Sequence, residues 1–352
     1  MISQKKDFRY SCHRIIPMAL AVIILMAMGG IIGCSNSSGS GDSSSGPSYH
    51  MTGYDGEPAE GSSTALLEVG NSGLNFLAQA PWFVNMTFQV SDKDGIGIPD
   101  FKVADFNVFE NGTRLDTVES NINIRKRDAL PPGYTYTLKT VLFIDNSANI
   151  APETLNLMMD GAKAFLSKID PKKQQEFAVV AFDNDGDPVL IHDFTSLTKE
   201  LIPYFTAGNA FSIKRSFGTA NFYGAIQFAL DLWEENPSPA TKTLTQGFVV
   251  VLTEGRDTTG LYNIDDAIAA RDRDNKRVVS VPIGSDIPDH ILAELERLGN
   301  GWYYPVPNPD LPEDDKSRKK SGDKNLVEWM TTIQERIIIF ADSFYWIQYK
   351  SE

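Results

Sequence analysis

Residues 140–149 read TVLFIDNSAN: an apolar run that gives way at Asp145 to carboxylate, amide and hydroxyl groups. A short continuous apolar run bounded by polar residues reads as a strand buried on both faces. Three more runs of this kind follow, Phe177–Phe182 (FAVVAF), Phe248–Leu252 (FVVVL) and Val278–Ile283 (VVSVPI). Helical stripes accompany them. Leu155, Met158, Met159, Ala162, Phe165, Leu166 and Ile169 form one; Phe222, Ala225, Ile226, Ala229 and Trp233 a second. Ile291, Leu292, Leu295 and Leu298 form a third, and Leu326, Trp329, Met330, Ile333, Ile337 and Phe340 a fourth. Strands alternating with helices predict an α/β fold with a doubly wound, mostly parallel sheet covered by helices on both faces.

Open parallel sheets bind ligands beyond the carboxyl ends of their strands. Three segments should meet there: Asp145-Asn146-Ser147-Ala148-Asn149, Gly218-Thr219-Ala220-Asn221 and Thr253-Glu254-Gly255. Their oxygen donors are of the kind that hard divalent cations take.

The order and spacing of these segments resemble the von Willebrand factor A domain, over about residues 138–342. The resemblance implies a metal-ion-dependent adhesion site, built in that family from Asp-x-Ser-x-Ser, a threonine in a second loop and the aspartate of a Thr-Asp-Gly turn. Asp145 and Ser147 match the first two positions, and Asn149 stands at the third. Counting back from Tyr223-Gly224-Ala225-Ile226, the threonine position is Ala220, with Thr219 one residue earlier. Glu254 stands in place of the aspartate. The candidate ligands of this altered site are therefore Asp145, Ser147, Asn149, Thr219 and Glu254, for one magnesium or manganese ion. Only two positions match strictly, and magnesium demands near-ideal octahedral geometry.

Upstream, Trp82, Val84, Met86, Phe88 and Val90 alternate with smaller or polar residues, a strand period, and Asp94-Gly95 and Asn111-Gly112 are hairpin-turn pairs. Residues 64–136 are expected to form a small β-sandwich-like module that leans on its neighbour. Asp92 to Phe101, followed by Asp105-Phe106-Asn107-Val108-Phe109-Glu110-Asn111-Gly112, resembles a bacterial subgroup in which such a module precedes the A domain. The last aromatic run, Ser343–Lys350 (SFYWIQYK), reads as a strand suited to return to that module, and 343–352 is set apart from the A-like domain at 137–342.

The N-terminus carries a different message. Residues 1–14 are basic, 15–32 are apolar, and Gly33-Cys34 follow, the pattern of a signal peptide over 1–33. Ile31-Ile32-Gly33-Cys34 resembles the lipobox of bacterial lipoproteins, which implies lipidation of Cys34 and a membrane anchor in the cell envelope. Ser35 after the cysteine implies the outer membrane where the organism has two. Residues 35–63 are Ser/Gly-rich, so 34–63 is expected to be a flexible tether with a mean reach of about 30 Å.

Net charge is −14, and loss of four basic residues and one acidic residue from the leader takes it to −17. So acidic a chain repels phosphate backbones, and nucleic acid is not an expected partner. With two cysteines, one of them in the leader, and four scattered histidines, neither a cysteine-rich metal site nor a histidine triad has its parts. Asp183-Asn184-Asp185-Gly186-Asp187 begins like a calcium loop, but Pro188 and Phe194 occupy the places of its glycine and glutamate. Asp92 and Asp94 read as turn residues, and Arg125-Lys126-Arg127 as a linker surface. The expected function is non-catalytic binding of an envelope or extracellular protein. A cation-dependent adhesin is the alternative, and an envelope hydrolase a more remote one.

Overall fold

The computed structural model describes residues 49–52, 76–79, 83–92, 95–110, 113–147, 150–169, 174–182, 188–206, 220–273, 276–284, 287–306 and 325–351. Residues 1–48, with Cys34, and residues 183–187 and 307–323 lie outside them.

The four apolar runs form the strands β7 (Thr135–Asp145), β8 (Gln175–Phe182), β10 (Thr243–Thr253) and β11 (Arg277–Pro282). With β9 (Val189–Thr195) they make one sheet in the order β11-β10-β7-β8-β9, in which all pairs are parallel except the antiparallel β8–β9 edge. Side chains alternate across β7. Leu138, Leu142 and Ile144 join one core with α1 (Pro152–Ser167) and the C-terminal helix Leu326–Asp342. Val141 and Phe143 join the other, against α3 (Phe222–Asp231), α4 (Ile264–Arg273) and α5 (Asp289–Gly299). Between α1 and α3 the described residues include one turn of helix, α2 (Thr198–Leu201), and a 3-10 turn; Leu326–Asp342 is α6. The doubly wound expectation holds.

Helix α4 goes unread among the stripes above, although its start is marked. The Asn263 side chain accepts from the backbone N–H groups of Asp265 and Asp266, and Asp266 accepts from the Asn263 N–H at 2.8 Å. This is a capping box with aspartate in the last place. Its apolar face is mostly alanine, which weakens the stripe.

The remaining strands build an antiparallel sheet: β1 (Tyr49–Thr52), β2 (Phe76–Gln79), β3 (Phe83–Asp92), β6 (Asn123–Lys126) and β12 (Phe344–Lys350). Its path runs β1-β3-β12-β6, with β2 also on β3. Strand β12, from the end of the chain, thus lies between two strands laid down over two hundred residues earlier. A two-residue connection joins β4 (Phe109–Glu110) to β5 (Thr113–Arg114) in a hairpin around Asn111-Gly112. After β3 the chain turns at Gly95 (φ 69°), where glycine escapes the Cβ clash of the left-handed region.

One correction concerns the tether. Tyr49–Thr52, inside the 34–63 segment read as unstructured, pairs with β3 from Tyr49 opposite Asp92 to Thr52 opposite Gln89. Adding a strand to an edge draws on backbone hydrogen bonds, so a stretch poor in aliphatic residues can do it. A second correction concerns Arg127, which is no linker surface. It is buried, pairs with Asp342 at 2.7 Å and lies over the Tyr136 ring.

The two faces of β3 carry different chemistry, and both are buried. Val84, Met86, Phe88 and Val90 meet Phe106, Val108 and Leu115, beneath the β4–β5 hairpin. Asn85, Thr87 and Gln89 face the α/β unit. Thr87 Oγ1 donates to the Pro237 carbonyl at 2.6 Å, and Gln89 Nε2 donates to the Phe340 carbonyl at 2.5 Å. Gln246 Nε2 donates to Gln89 Oε1, and Tyr136 donates its hydroxyl to Gln246 Oε1 at 2.6 Å. A hydrogen-bonded polar seam therefore joins the modules, as buried polar groups require.

Candidate functional site

The β7 strand delivers Asp145 to the carboxyl end of the sheet, where its side chain is buried. Ser147 donates both its hydroxyl, at 2.5 Å, and its backbone N–H, at 3.1 Å, to Asp145 Oδ1. On the neighbouring strand β10, Thr253 donates its hydroxyl to Asp145 Oδ2 at 2.6 Å and accepts from the Gly255 N–H. Burial pushes the Asp145 carboxyl above the ordinary carboxylate range, opposed by the Ser147 and Thr253 hydroxyls and the N–H groups of Ser147 and Glu254.

Of the five sequence-derived ligands, Asp145 and Ser147 are hydrogen-bonded to each other, while Asn149 and Thr219 lie outside the described residues. Glu254 approaches Asp145 only through its backbone. Its carboxylate lies on the other side of β10, where a Cβ on Gly284 at the end of β11 would stand 3.3 Å from Glu254 Oε1. The Arg256 guanidinium is 3.8 Å from Glu254 Oε2. Alternation along β10 accounts for the order: Thr253 falls on the sheet face that Asp145 shares, and the next side chain starts toward the opposite face. Ala220 occupies the second-loop position with no side-chain oxygen. Its N–H donates to Thr258 Oγ1 at 2.6 Å, and its carbonyl accepts from Thr258 and Thr259. Among the described residues no three His, Cys, Asp or Glu side chains form a metal-holding group.

Thr253 is the residue that the ligand search passed over, although it stands in the Thr-Glu-Gly turn itself. Here it takes up the second carboxylate oxygen. Removing the acceptor by Asp145→Ala should cost about 1–3 kcal/mol, because buried hydroxyl and N–H donors lose their partner. Asp145→Asn, which keeps one oxygen, should cost less. A thermal melt tests this together with the ion. Magnesium, manganese and EDTA should leave the midpoint unchanged, whereas an ion at one hundred times its dissociation constant would add about 2.7 kcal/mol. An upward shift that vanishes in Asp145→Ala would show that the loops hold a metal after all.

Beyond Asp145 the same loop frames an open cleft of about 480 Å³ between the starts of α3, α4 and α5, lined by Tyr223, Asp257, Thr259, Tyr262, His290 and Glu294 among others. Asp257 organises its edge. One carboxylate oxygen accepts from the Tyr223 N–H at the start of α3, and the other from Thr259 and Gly260. Asn221 caps the same helix by accepting from the Gly224 N–H. The Tyr223 hydroxyl donates to Glu294 on α5. Burial, followed by Glu294 and Asp257, raises the Tyr223 pKa well above the ordinary phenol value. Tyr262, 43% exposed, lines the cleft, and Leu261, next to it in sequence, is 71% exposed. Of these cleft residues the sequence named only Tyr223, as the anchor of a count and not as a site residue. The available signal was the His290/Glu294 spacing on the polar side of the α5 stripe.

Comparison with known proteins agrees with this architecture. Residues 140–312 match the family described as von Willebrand factor type A domain. No curated protein matches. Among solved structures, an aerotolerance-related membrane protein from Bacteroides fragilis, carrying multiple mutations to serine, is 15% identical with a TM-score of 0.41. That match covers 57% of this chain and 98% of the other. The conserved hypothetical protein BatB from Bacteroides thetaiotaomicron is 15% identical with a TM-score of 0.40, over 57% and 97% of the two chains. Proximal thread matrix protein 1 from the mussel byssus, with a zinc-occupied MIDAS motif, is 13% identical with a TM-score of 0.40, over 58% and 48%. Residues 140–312 of this chain match the von Willebrand factor type A domain and have its fold, joined to an antiparallel sheet that the last strand of the described chain completes.

Proposed function

We propose that this protein is a lipid-anchored component of the cell envelope whose A domain binds another protein without catalysis. The observation that carries the reading is the loop face at the carboxyl end of the sheet. There Asp145 is engaged by fixed hydroxyl and N–H donors, while Tyr262 lines an open cleft, with exposed Leu261 next to it in sequence. A locked carboxylate serves as structure, and exposed apolar side chains beside a polar recess serve as a contact surface. The leader and Cys34 support the envelope placement through the lipobox resemblance, and no helix among the described residues is long and apolar enough to cross a membrane. The outer membrane is the expected leaflet in a two-membrane organism.

Two measurements test this. Cys34→Ser should move the protein from the membrane to the soluble fraction and remove label from radioactive palmitate; unchanged membrane association would refute the anchor. For the binding face, a photo-crosslinking side chain is placed at Leu261 in cells, with Val118 as a control on the antiparallel module, 85% exposed. A discrete cross-linked species from position 261 and none from 118 is the expected result. Equal labelling from both positions would sink the loop-face reading.

A further inference from the structure

The cleft beside the Asp145 loops has features that a generic contact surface lacks. Its floor pairs an aromatic ring with a carboxylate, through the hydrogen bond from the Tyr223 hydroxyl to Glu294. A second ring, Tyr262, stands at the exposed edge, and Asp257 adds a second negative charge at the start of α3. Arg297, on the same helix as Glu294, is drawn to Asp265 at 2.6 Å. The whole chain carries −14. Such a recess offers ring faces and an anionic terminus, open to solvent, in a volume of about 480 Å³.

We infer that this cleft receives an arginine side chain of the partner protein, its guanidinium directed to Glu294 and its plane laid against the tyrosine rings. The inference deepens the protein-binding reading above and depends on it. Arginine fits better than lysine because its planar fork can meet a carboxylate with two donors and stack on an aromatic face at the same time. Cation–π attraction to a tyrosine ring adds to the ion pair. Metal occupancy is disfavoured by the geometry, since Asp257, His290 and Glu294 do not form a group able to hold an ion. Exposed Leu261, next to Tyr262 in sequence, suits an apolar neighbour of that arginine in the partner's sequence.

Fluorescent capped peptides of one sequence, differing only in a central arginine, lysine, citrulline or glutamate, report on this site by anisotropy with the full chain. The arginine peptide should bind at least tenfold more tightly than the citrulline peptide, its uncharged isostere, and the glutamate peptide more weakly still. Lysine should fall between. Glu294→Gln, which keeps the size of the side chain, should abolish the preference for arginine over citrulline. Tyr262→Ala, at an exposed position, should weaken the arginine peptide without changing the melting midpoint. Equal binding of arginine and citrulline, unaltered preference in Glu294→Gln, or no binding of the arginine peptide would overturn the inference. Cross-linking from Leu261 together with a flat peptide series would leave the loop face standing as the binding surface and discard the arginine pocket alone. Loss of both would remove the protein-binding reading itself.

Discussion

Replacing Trp346 with alanine should destabilise the protein by roughly 3–5 kcal/mol, the range for truncating a large buried aromatic side chain. Trp346 is 1% exposed and meets the Tyr134 ring edge-on at a centroid distance of 4.6 Å. Its Nε1 has no hydrogen-bond partner among the described residues, so the loss is one of packing, with no acceptor stranded. The larger consequence is cooperative. Phe344 and Trp346 point into the core of the A domain, while Tyr345, Ile347 and Tyr349 point into the core of the antiparallel module. One strand carries both cores, so the variant should lower the melting of both modules together. At about 2–4 °C per kcal/mol for a domain of this size, the midpoint should fall by roughly 6–20 °C in a single transition. Calorimetry that resolves two transitions, with only one displaced, would show that the modules are energetically independent.

Stability should fall as pH rises from about 4.5 to about 7, and Glu235 is the reason. This residue follows α3 and is 3% exposed in its side chain. Trp233 Nε1 donates to Glu235 Oε2 at 3.0 Å, and Arg277 lies 3.5 Å from Oε1. The close approach is possible because Gly247 leaves room on β10: a Cβ there would meet the Trp233 ring at 2.3 Å. Burial pushes the Glu235 carboxyl from 4.5 up to about 7, opposed by Arg277, the Trp233 hydrogen bond, Lys276 and the Gly247 N–H. A raised carboxylate pKa means that the folded state holds the proton more tightly than the unfolded chain. Below about pH 4.5 the group is protonated in both states and contributes nothing. Through the window up to about 7 the folded state gains relatively less as pH rises, and above it the full cost of a buried charge remains, on the order of 3 kcal/mol. Denaturant titrations of the wild type and Glu235→Gln across this window isolate the effect, because Asp145, also raised by burial, contributes to both equally. The wild-type curve should decline relative to the variant. Parallel curves would mean that the Arg277 pair, not burial, governs Glu235.

Much of the α/β unit was legible because its signals are local. An apolar run such as 140–144 is too water-averse to lie at a surface, and the periods of α1, α3, α5 and α6 mark one face each. Helix α4 escaped because alanines bury little area and leave a faint stripe. The site was legible in position and less so in content. Strand ends place Asp145 and Ser147, but the direction of a side chain at the end of a strand depends on which face of the sheet its register gives it. Glu254 and Thr253 differ in that respect by a single residue.

The amino-acid sequence alone determined the alternating unit, its sheet and the loops that would meet at its end. Only the tertiary structure decided what lies across from each strand. Alternation in β3 announces an apolar face and a polar face, and the usual inference sends the polar one to water. Here Thr87 and Gln89 are buried because Pro237, Phe340 and Gln246 supply their hydrogen-bond partners. Those partners lie 150 or more residues away. A period records which residues share a face. What that face meets is set by the whole chain, since burying a polar group is favourable only where distant groups complete its hydrogen bonds.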